Sequence, residues 1–478
     1  NFPNLISMDL NRLDRAESLE IAASIGSGVL PRQMIEGIAE RADGIPLYIE
    51  ELTKSVLEAE TSGNDGVDGG AIEAIPTSLQ ASLIARLDRL GSAREVVQIG
   101  AVIGRSFPYD LAAAVLGGSH AASQAALERA VDAELISCRG IPPEAIYSFK
   151  HSLVQDTAYE TLLRSTCQRY HGRVADVLLH EFPARALAEP EVVARHFSAG
   201  KQPRKAVDHW FEAGQRANER SELVEAVSNL RQGLSELLQL EEGPVRSEQE
   251  LDFRLALGAS LLAVEGWSAA SVEANYQRAY VLSQSSDDSA KKVNVLRGLG
   301  NVFFLKGEVG KSRELAQRQL SIALAEDNRD LAMGGYRSVG MCSFFTGDFS
   351  AALADLQRAN EIYDPASHGM QKFSQGTDPA VIGLSMTAWV HWFLGDGAAA
   401  RDNIHQALAH GDAIQHPFSQ AYAHGLAASM FQFCREPDAT RQHAEAAIAL
   451  ARQNDYPYWF GWAKVMQGWA MAALGDGE

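Results

Sequence analysis

Cysteine is scarce and unclustered in this 478-residue chain: Cys138, Cys167, Cys342 and Cys434 stand far apart with no Cys-x-x-Cys pair. That excludes a disulfide framework and a thiolate zinc site and fits a reducing compartment, so a cytoplasmic location is expected. Long apolar runs are missing too. No stretch approaches the roughly twenty residues that cross a bilayer, and no basic-then-apolar signal segment is visible, so no membrane partner and no export are expected. Positive charge is in deficit, with 42 Lys and Arg against 61 Asp and Glu and a formal net charge of −19. The summed field repels polyanions, and no nucleic acid is expected as a partner. Strand-like alternation is rare. What remains is apolar residues three and four apart, broken at short intervals by Gly, Asp and Pro: a mainly α protein, long enough for about three domains.

From about residue 290 the sequence repeats. Gly307, Gly347, Gly395, Arg435 and Gly475 mark turns after apolar helices, at spacings of 40, 48, 40 and 40 residues. Seven residues before each stands a small residue: Gly300, Gly340, Ala388, Ala428 and Gly468. Around these anchors the tetratricopeptide pattern appears in weakened form, as in Leu296-x2-Leu299-Gly300-x2-Phe303, with Ala352, Leu356 and Ala359, then Ala400, Ile404 and Ala407, in second helices. Earlier pairs are expected at Ala206 to Leu238 and at Leu251 to Ser283. Residues 191–478 thus form an α-solenoid of tetratricopeptide-like helix pairs, truncated in its last repeat, whose concave face binds a protein or peptide. The opening at Asn1 and the stop after Gly475 suggest a piece of a longer protein.

Ahead of the solenoid, Thr61 to Gly70 holds almost no side chain able to bury area, so 61–74 is a flexible linker. It separates residues 1–60 from 75–150, where a helix starting near Pro76 or Thr77 is followed by helices over Ala93 to Ile103, after Pro108, and over Ala121 to Ala133. Leu135 to Phe149 reads as two short strands joined by a Gly/Pro turn, which makes a winged-helix domain. Connecting helices fill 151–190. Seven basic and seven acidic residues leave the 75–150 segment neutral, and its candidate recognition helix has one Arg against two acids, which favours protein contact over DNA reading.

Catalytic motifs are tested and fail. Lys306-Gly-Glu-Val-Gly-Lys-Ser312 ends like a phosphate loop, but Leu305 stands where the first Gly belongs and no strand precedes it. His405, His410 and His416, five and six apart, do not share a helical face, so no metal is expected. Neither a nucleophile elbow nor a paired-carboxylate site is found, and no catalytic residue is assigned.

Two strings carry a resemblance. Arg41-Ala-Asp-Gly-Ile-Pro-Leu-Tyr-Ile-Glu-Glu-Leu-Thr-Lys-Ser-Val-Leu57 resembles the lid-helix signature of STAND-type AAA ATPases. Phe149-Lys-His-Ser-Leu-Val-Gln-Asp-Thr-Ala-Tyr-Glu-Thr-Leu-Leu163 looks like the segment leaving the winged helix in the same proteins. With the repeats behind them, the chain is similar to bacterial class III adenylate/guanylate cyclases that carry such an ATPase module and tetratricopeptide repeats. The resemblance implies a helical ATPase lid at 1–60, with an ATPase core and a cyclase domain upstream in the same polypeptide. It implies ATP or ADP in the full-length protein and none in this portion alone. Gly44 and Pro46 would line the adenine side of the nucleotide, and His151 would sense its phosphates. As residues alone, Gly44-Ile-Pro-Leu is also a plain helix start, and His151 a capping or core histidine. The expected function is a regulatory, protein-binding portion of a signalling ATPase coupled to second-messenger synthesis. A repeat scaffold without nucleotide function and a repeat-bearing transcriptional regulator are the alternatives.

Overall fold

The computed structural model describes residues 11–26, 28–61, 78–266, 269–369 and 376–475. The chain divides into two compact units, one of Asn1–Ala188 with Arg195–Gln202, the other of Glu189–Ala194 with Pro203–Glu478.

The first unit opens with helices Arg15–Ile25, Arg32–Ala42 and Pro46–Thr61. Asp14 and Glu17 form a reciprocal capping box, each side chain accepting the other's backbone N–H at 2.8 and 2.9 Å, which satisfies amides the first helical turn leaves over. Ile38, Ile49 and Leu52 are completely buried between the three helices. The expected linker lies almost wholly in 62–77, outside the described residues, except that Thr61 ends the third helix. Pro76 and Thr77 also fall outside them; the next helix, Leu79–Arg89, is capped by Ser78, whose Oγ accepts from Ala81 N at 3.1 Å.

Then follow helix Arg94–Ile103, β1 (Ser106–Pro108), helices Tyr109–Leu116 and His120–Asp132, β2 (Ile136–Arg139) and β3 (Ile146–Phe149). The sheet is antiparallel in the order β1-β3-β2, with Phe107 and Cys138 both opposite Tyr147. The hairpin was expected; β1 was not. Three residues ending in proline are too short to show alternation, and β1 exists because Phe107 finds Tyr147 to stack on, ring centres 5.9 Å apart. Helices Ser152–Glu160, Arg164–Glu181 and Pro183–Ala188 follow.

The second unit is a run of antiparallel helix pairs: Pro203–Glu219 with Leu223–Leu237, Pro244–Glu265 with Ala270–Ser283, Ser289–Leu305 with Val309–Ala325, and Arg329–Phe345 with Phe349–Ile362. Pro379–Phe393 with Gly397–Ile414 and Pro417–Phe433 with Pro437–Gln453 continue the run, and helix Pro457–Leu474 is the last described. Two local signals punctuate it. The turn inside a pair puts one residue in the left-handed region: Gly307, Gly347, Gly395 and Gly475 lie at φ 79° to 89°, and Arg435 adopts 57° in the same place. Helix starts are capped by Asp288, Asn328, Asp348 and Asp396, each accepting a backbone N–H three residues on at 3.0 to 3.1 Å. The single 48-residue spacing is an insertion between Ile362 and Pro379 that includes the short helix Pro365–His368. Gly340 needs its lack of a side chain, because a Cβ there would meet Leu356 Cγ at 2.9 Å.

Within this unit the helix pairs curl back toward one another. Ser260 and Asn218 from the first two pairs line one small recess together with His416, Phe418 and Tyr456. Trp389 and Trp459, 5% and 4% exposed, sit in the aromatic core of the later repeats with Phe344 and Phe418, and Trp389 Nε1 donates to Leu426 O at 3.1 Å. They are packing residues. No helix among the described residues is long and apolar enough to cross a membrane.

Candidate functional site

The lid residues come first. Gly44 is buried at φ 71°, and a Cβ on it would meet Leu13 O at 2.3 Å. Its backbone O also accepts from Leu13 N at 2.9 Å. Glycine is therefore demanded by the close passage of Arg12 and Leu13, without reference to a ligand. Pro46 is the first residue of helix Pro46–Thr61 and exposed, beside Ile45 at 40% exposure. That edge is apolar and open, which is the chemistry an adenine face needs. His151 stands immediately before helix Ser152–Glu160 in extended backbone, half-buried, and its side chain makes no capping bond there. Gly44 and Pro46 lie together at one helix start, whereas His151 belongs to a different element.

Sequence reasoning missed the residue that ties this helix down. Arg86, 2% exposed, donates to Glu51, to Glu58 at 3.0 Å, and to the backbone O of Ala133. Lys54 pairs with Glu134, holding that carboxyl below its usual range. A buried guanidinium saturated by two carboxylates and a carbonyl is a clamp between helices Pro46–Thr61 and Leu79–Arg89 and the end of His120–Asp132. In the sequence, Arg86 was one of seven basic residues in a neutral segment, with nothing to mark it.

A second cluster joins helix Arg164–Glu181 to helix Pro190–Ala199. His171 Nδ1 meets His196 Nδ1 at 2.9 Å, and His171 Nε2 meets the Tyr159 hydroxyl at 2.9 Å. Burial pushes His171 down to about 4. Burial, and then the neighbouring His171, push His196 to about 3. Tyr159 is pushed up to about 12 by burial and its Cys167 neighbour. Both imidazoles are neutral packing groups near pH 7.

The histidines weighed for metal are taken up otherwise. His410 Nε2 lies 3.1 Å from Asp378 Oδ1 and 3.2 Å from the Tyr363 hydroxyl, while His416 caps its helix and bonds Ser419 Oγ at 2.9 Å. Among the described residues no group of three or more His, Cys, Asp and Glu side chains is placed to hold a metal ion. In the phosphate-loop look-alike, Gly307 is a helix–helix turn at φ 79°, Ser312 is buried against Cys342 Sγ at 3.5 Å, and Lys311 pairs with Glu308. That motif is a repeat turn.

Among its described residues the solenoid has a recess of about 390 Å³, lined by three successive first helices: Phe211 and Asn218, Asp252 and Ala256, Asn294 and Arg297, with Tyr276 from a second helix. Ten residues before each turn lies one repeat position, occupied in order by Phe211, Ala256, Arg297, Arg337, Ser385, Gly425 and Val465. Two adjacent repeats therefore place guanidinium groups on one row. Burial lowers both; Arg337 is brought to about 10 by burial and the nearby charge of Arg297. Aligning the repeats by their turns would have revealed the pair. The apolar anchors alone did not.

The solved structures similar to this chain include a STAND protein with a tetratricopeptide repeat sensor from Pyrococcus horikoshii, at 12% identity over 98% of this chain and 72% of that one, TM-score 0.38. They also include the apo form of the quorum sensor NprR from B. thuringiensis, at 11% identity over 84% and 96%, TM-score 0.45, and NprR in complex with its cognate peptide NprX, at 12% identity over 68% and 92%, TM-score 0.41. Scores below 0.5 at these identities carry no functional assignment. An uncharacterized protein of Rhizobium meliloti (strain 1021) is 26% identical over 243 residues, half of this chain. That stretch is 24% of the relative, so the chain spans about a quarter of its length. No family model matches the sequence.

Proposed function

We propose that the chain is the sensing and regulatory portion of a signal-transducing ATPase, in which the solenoid's inner recess takes a peptide or protein segment. The observation that carries this is the recess itself: about 390 Å³ bounded by consecutive first helices and lined with side chains of mixed polarity. Helices 15–61 act as the lid of a nucleotide-binding core, and the helix–strand–helix–helix–hairpin order of 94–149 as a winged helix that relays between lid and repeats. ATP or ADP belongs to that upstream core. In this portion the open Ile45–Pro46 edge would face adenine, with Gly44 shaping the turn behind it and His151 near the phosphates. A class III cyclase in the same polypeptide is the output, and ligand binding biases the nucleotide state through its differential affinity for the two conformations.

The experiment is a selection of random nonapeptides on the 478-residue chain, followed by calorimetry. Peptides of micromolar affinity that lose at least tenfold when the recess is filled by Ala256→Trp support the proposal, and peptides indifferent to that change defeat it. For the nucleotide half, ADP titration of a protein that also carries the phosphate loop should weaken at least fivefold in Pro46→Asp; unchanged affinity removes the lid from the scheme. A second reading, a scaffold in which 15–61 serves only as packing, is favoured by the Arg86 clamp, since a saturated buried pair holds helices rigidly whether or not a nucleotide is present.

A further inference from the structure

Arg297 is a half-buried cation that the protein itself leaves incompletely satisfied. It projects from helix Ser289–Leu305 into the recess, and its Nε is shielded from water without a hydrogen-bond partner. Gln215, Glu219 and Asn294 line the recess with it, and two further polar neighbours are engaged elsewhere. Asp252 pairs with Lys291 at 2.5 Å; Asn218 donates to Ala256 O at 3.3 Å and accepts from Ser260 Oγ at 2.5 Å. On the next repeat Arg337, 5% exposed, adds a like charge, offset by the more distant Asp378 and Tyr422. A partly buried guanidinium with an unanswered N–H favours an acceptor supplied by another molecule. Of the possible acceptors, a carboxylate gains most, because a guanidinium presents paired N–H donors in the geometry a carboxylate accepts.

We infer that the recess recognises an acidic peptide, placing one of its carboxylates on Arg297 while the apolar wall of Phe211 and Ala256 takes a neighbouring side chain. This rests on the peptide-binding proposal above and specifies its ligand. A net charge of −19 disfavours an acidic peptide over most of the surface, so Arg297 also acts as a filter that favours an acid at the recess.

The test repeats the nonapeptide selection with two libraries, one amidated at the C-terminus and one free. Enrichment of Asp or Glu at a fixed position, or of the free C-terminus, is expected. The best peptide should weaken at least tenfold on Arg297→Gln and by less on Arg297→Lys, while its Glu→Gln analogue should bind wild type and R297Q alike. Peptides selected without acidic preference, or an acidic preference that survives in R297Q, overturn the carboxylate assignment and leave peptide binding standing. Failure of both libraries to yield any binder overturns peptide binding and this inference with it. An unchanged thermal melt of R297Q separates lost recognition from lost folding.

Discussion

Two arginines, one in each unit, have opposite surroundings: Arg86 is buried, whereas Arg297 is half-buried at the wall of a recess. Arg86 is met by Glu51, Glu58 and the Ala133 carbonyl, so the charge and its answers come from the same fold. Arg297 keeps a shielded Nε without a partner, while Asp252 in its recess is paired with Lys291. A charge that serves folding is completed by the fold. One left incomplete is a cost that folding alone does not explain, and such groups concentrate where another molecule binds.

The comparison is broken most directly at Arg86. Arg86→Ala strands the buried Glu51 carboxylate and should cost about 3–5 kcal/mol, measured as a lower urea midpoint for the first unit. A loss under 1 kcal/mol would mean the clamp contributes nothing. The His171–His196 pair probes the same unit by acid. Above the ordinary histidine range both rings are neutral whether folded or unfolded. As pH falls below about 6.5 the unfolded rings take protons that the buried rings refuse until pH 3 to 4, so stability present at neutral pH is lost. A loss of about 4 kcal/mol between pH 7 and pH 5 is expected, about 2 from each ring, largely abolished in the His171→Gln, His196→Asn double variant. An identical pH slope in that variant would exclude the pair as its source.

On the other side of the comparison, Arg297→Met removes an incompletely satisfied charge and should leave the solenoid as stable as before or more stable by about 1 kcal/mol. A loss of 2 kcal/mol or more would make Arg297 a second Arg86. The smallest effect calibrates the repeat backbone. Arg435 occupies the left-handed turn position where four other repeats have glycine, so Arg435→Gly should gain about 0.5 kcal/mol in thermal unfolding. A loss would mean the Arg435 side chain stabilises more than its backbone strain costs.

The solenoid was legible because its signals are local. A left-handed turn wants glycine, a helix start wants Asp or Asn, and both recur at the period of one helix pair, so the turns at Gly307, Gly347, Gly395 and Gly475 could be counted before any coordinates. The hairpin β2–β3 was legible for the same reason. β1 was not, since three residues carry no period. At the lid, Gly44 was singled out, but the sequence could not say that Leu13 passes close behind it.

Helix content, the repeat period and the turn residues were legible in the sequence alone, because each depends on neighbours a few residues away. Which arginine is paired and which is not was decided by the tertiary structure. Glu51 and Glu58 lie 35 and 28 residues from Arg86, and the walls of the Arg297 recess come from three separate helix pairs. Charge satisfaction is a property of distances through space, and a chain acquires those only when it folds.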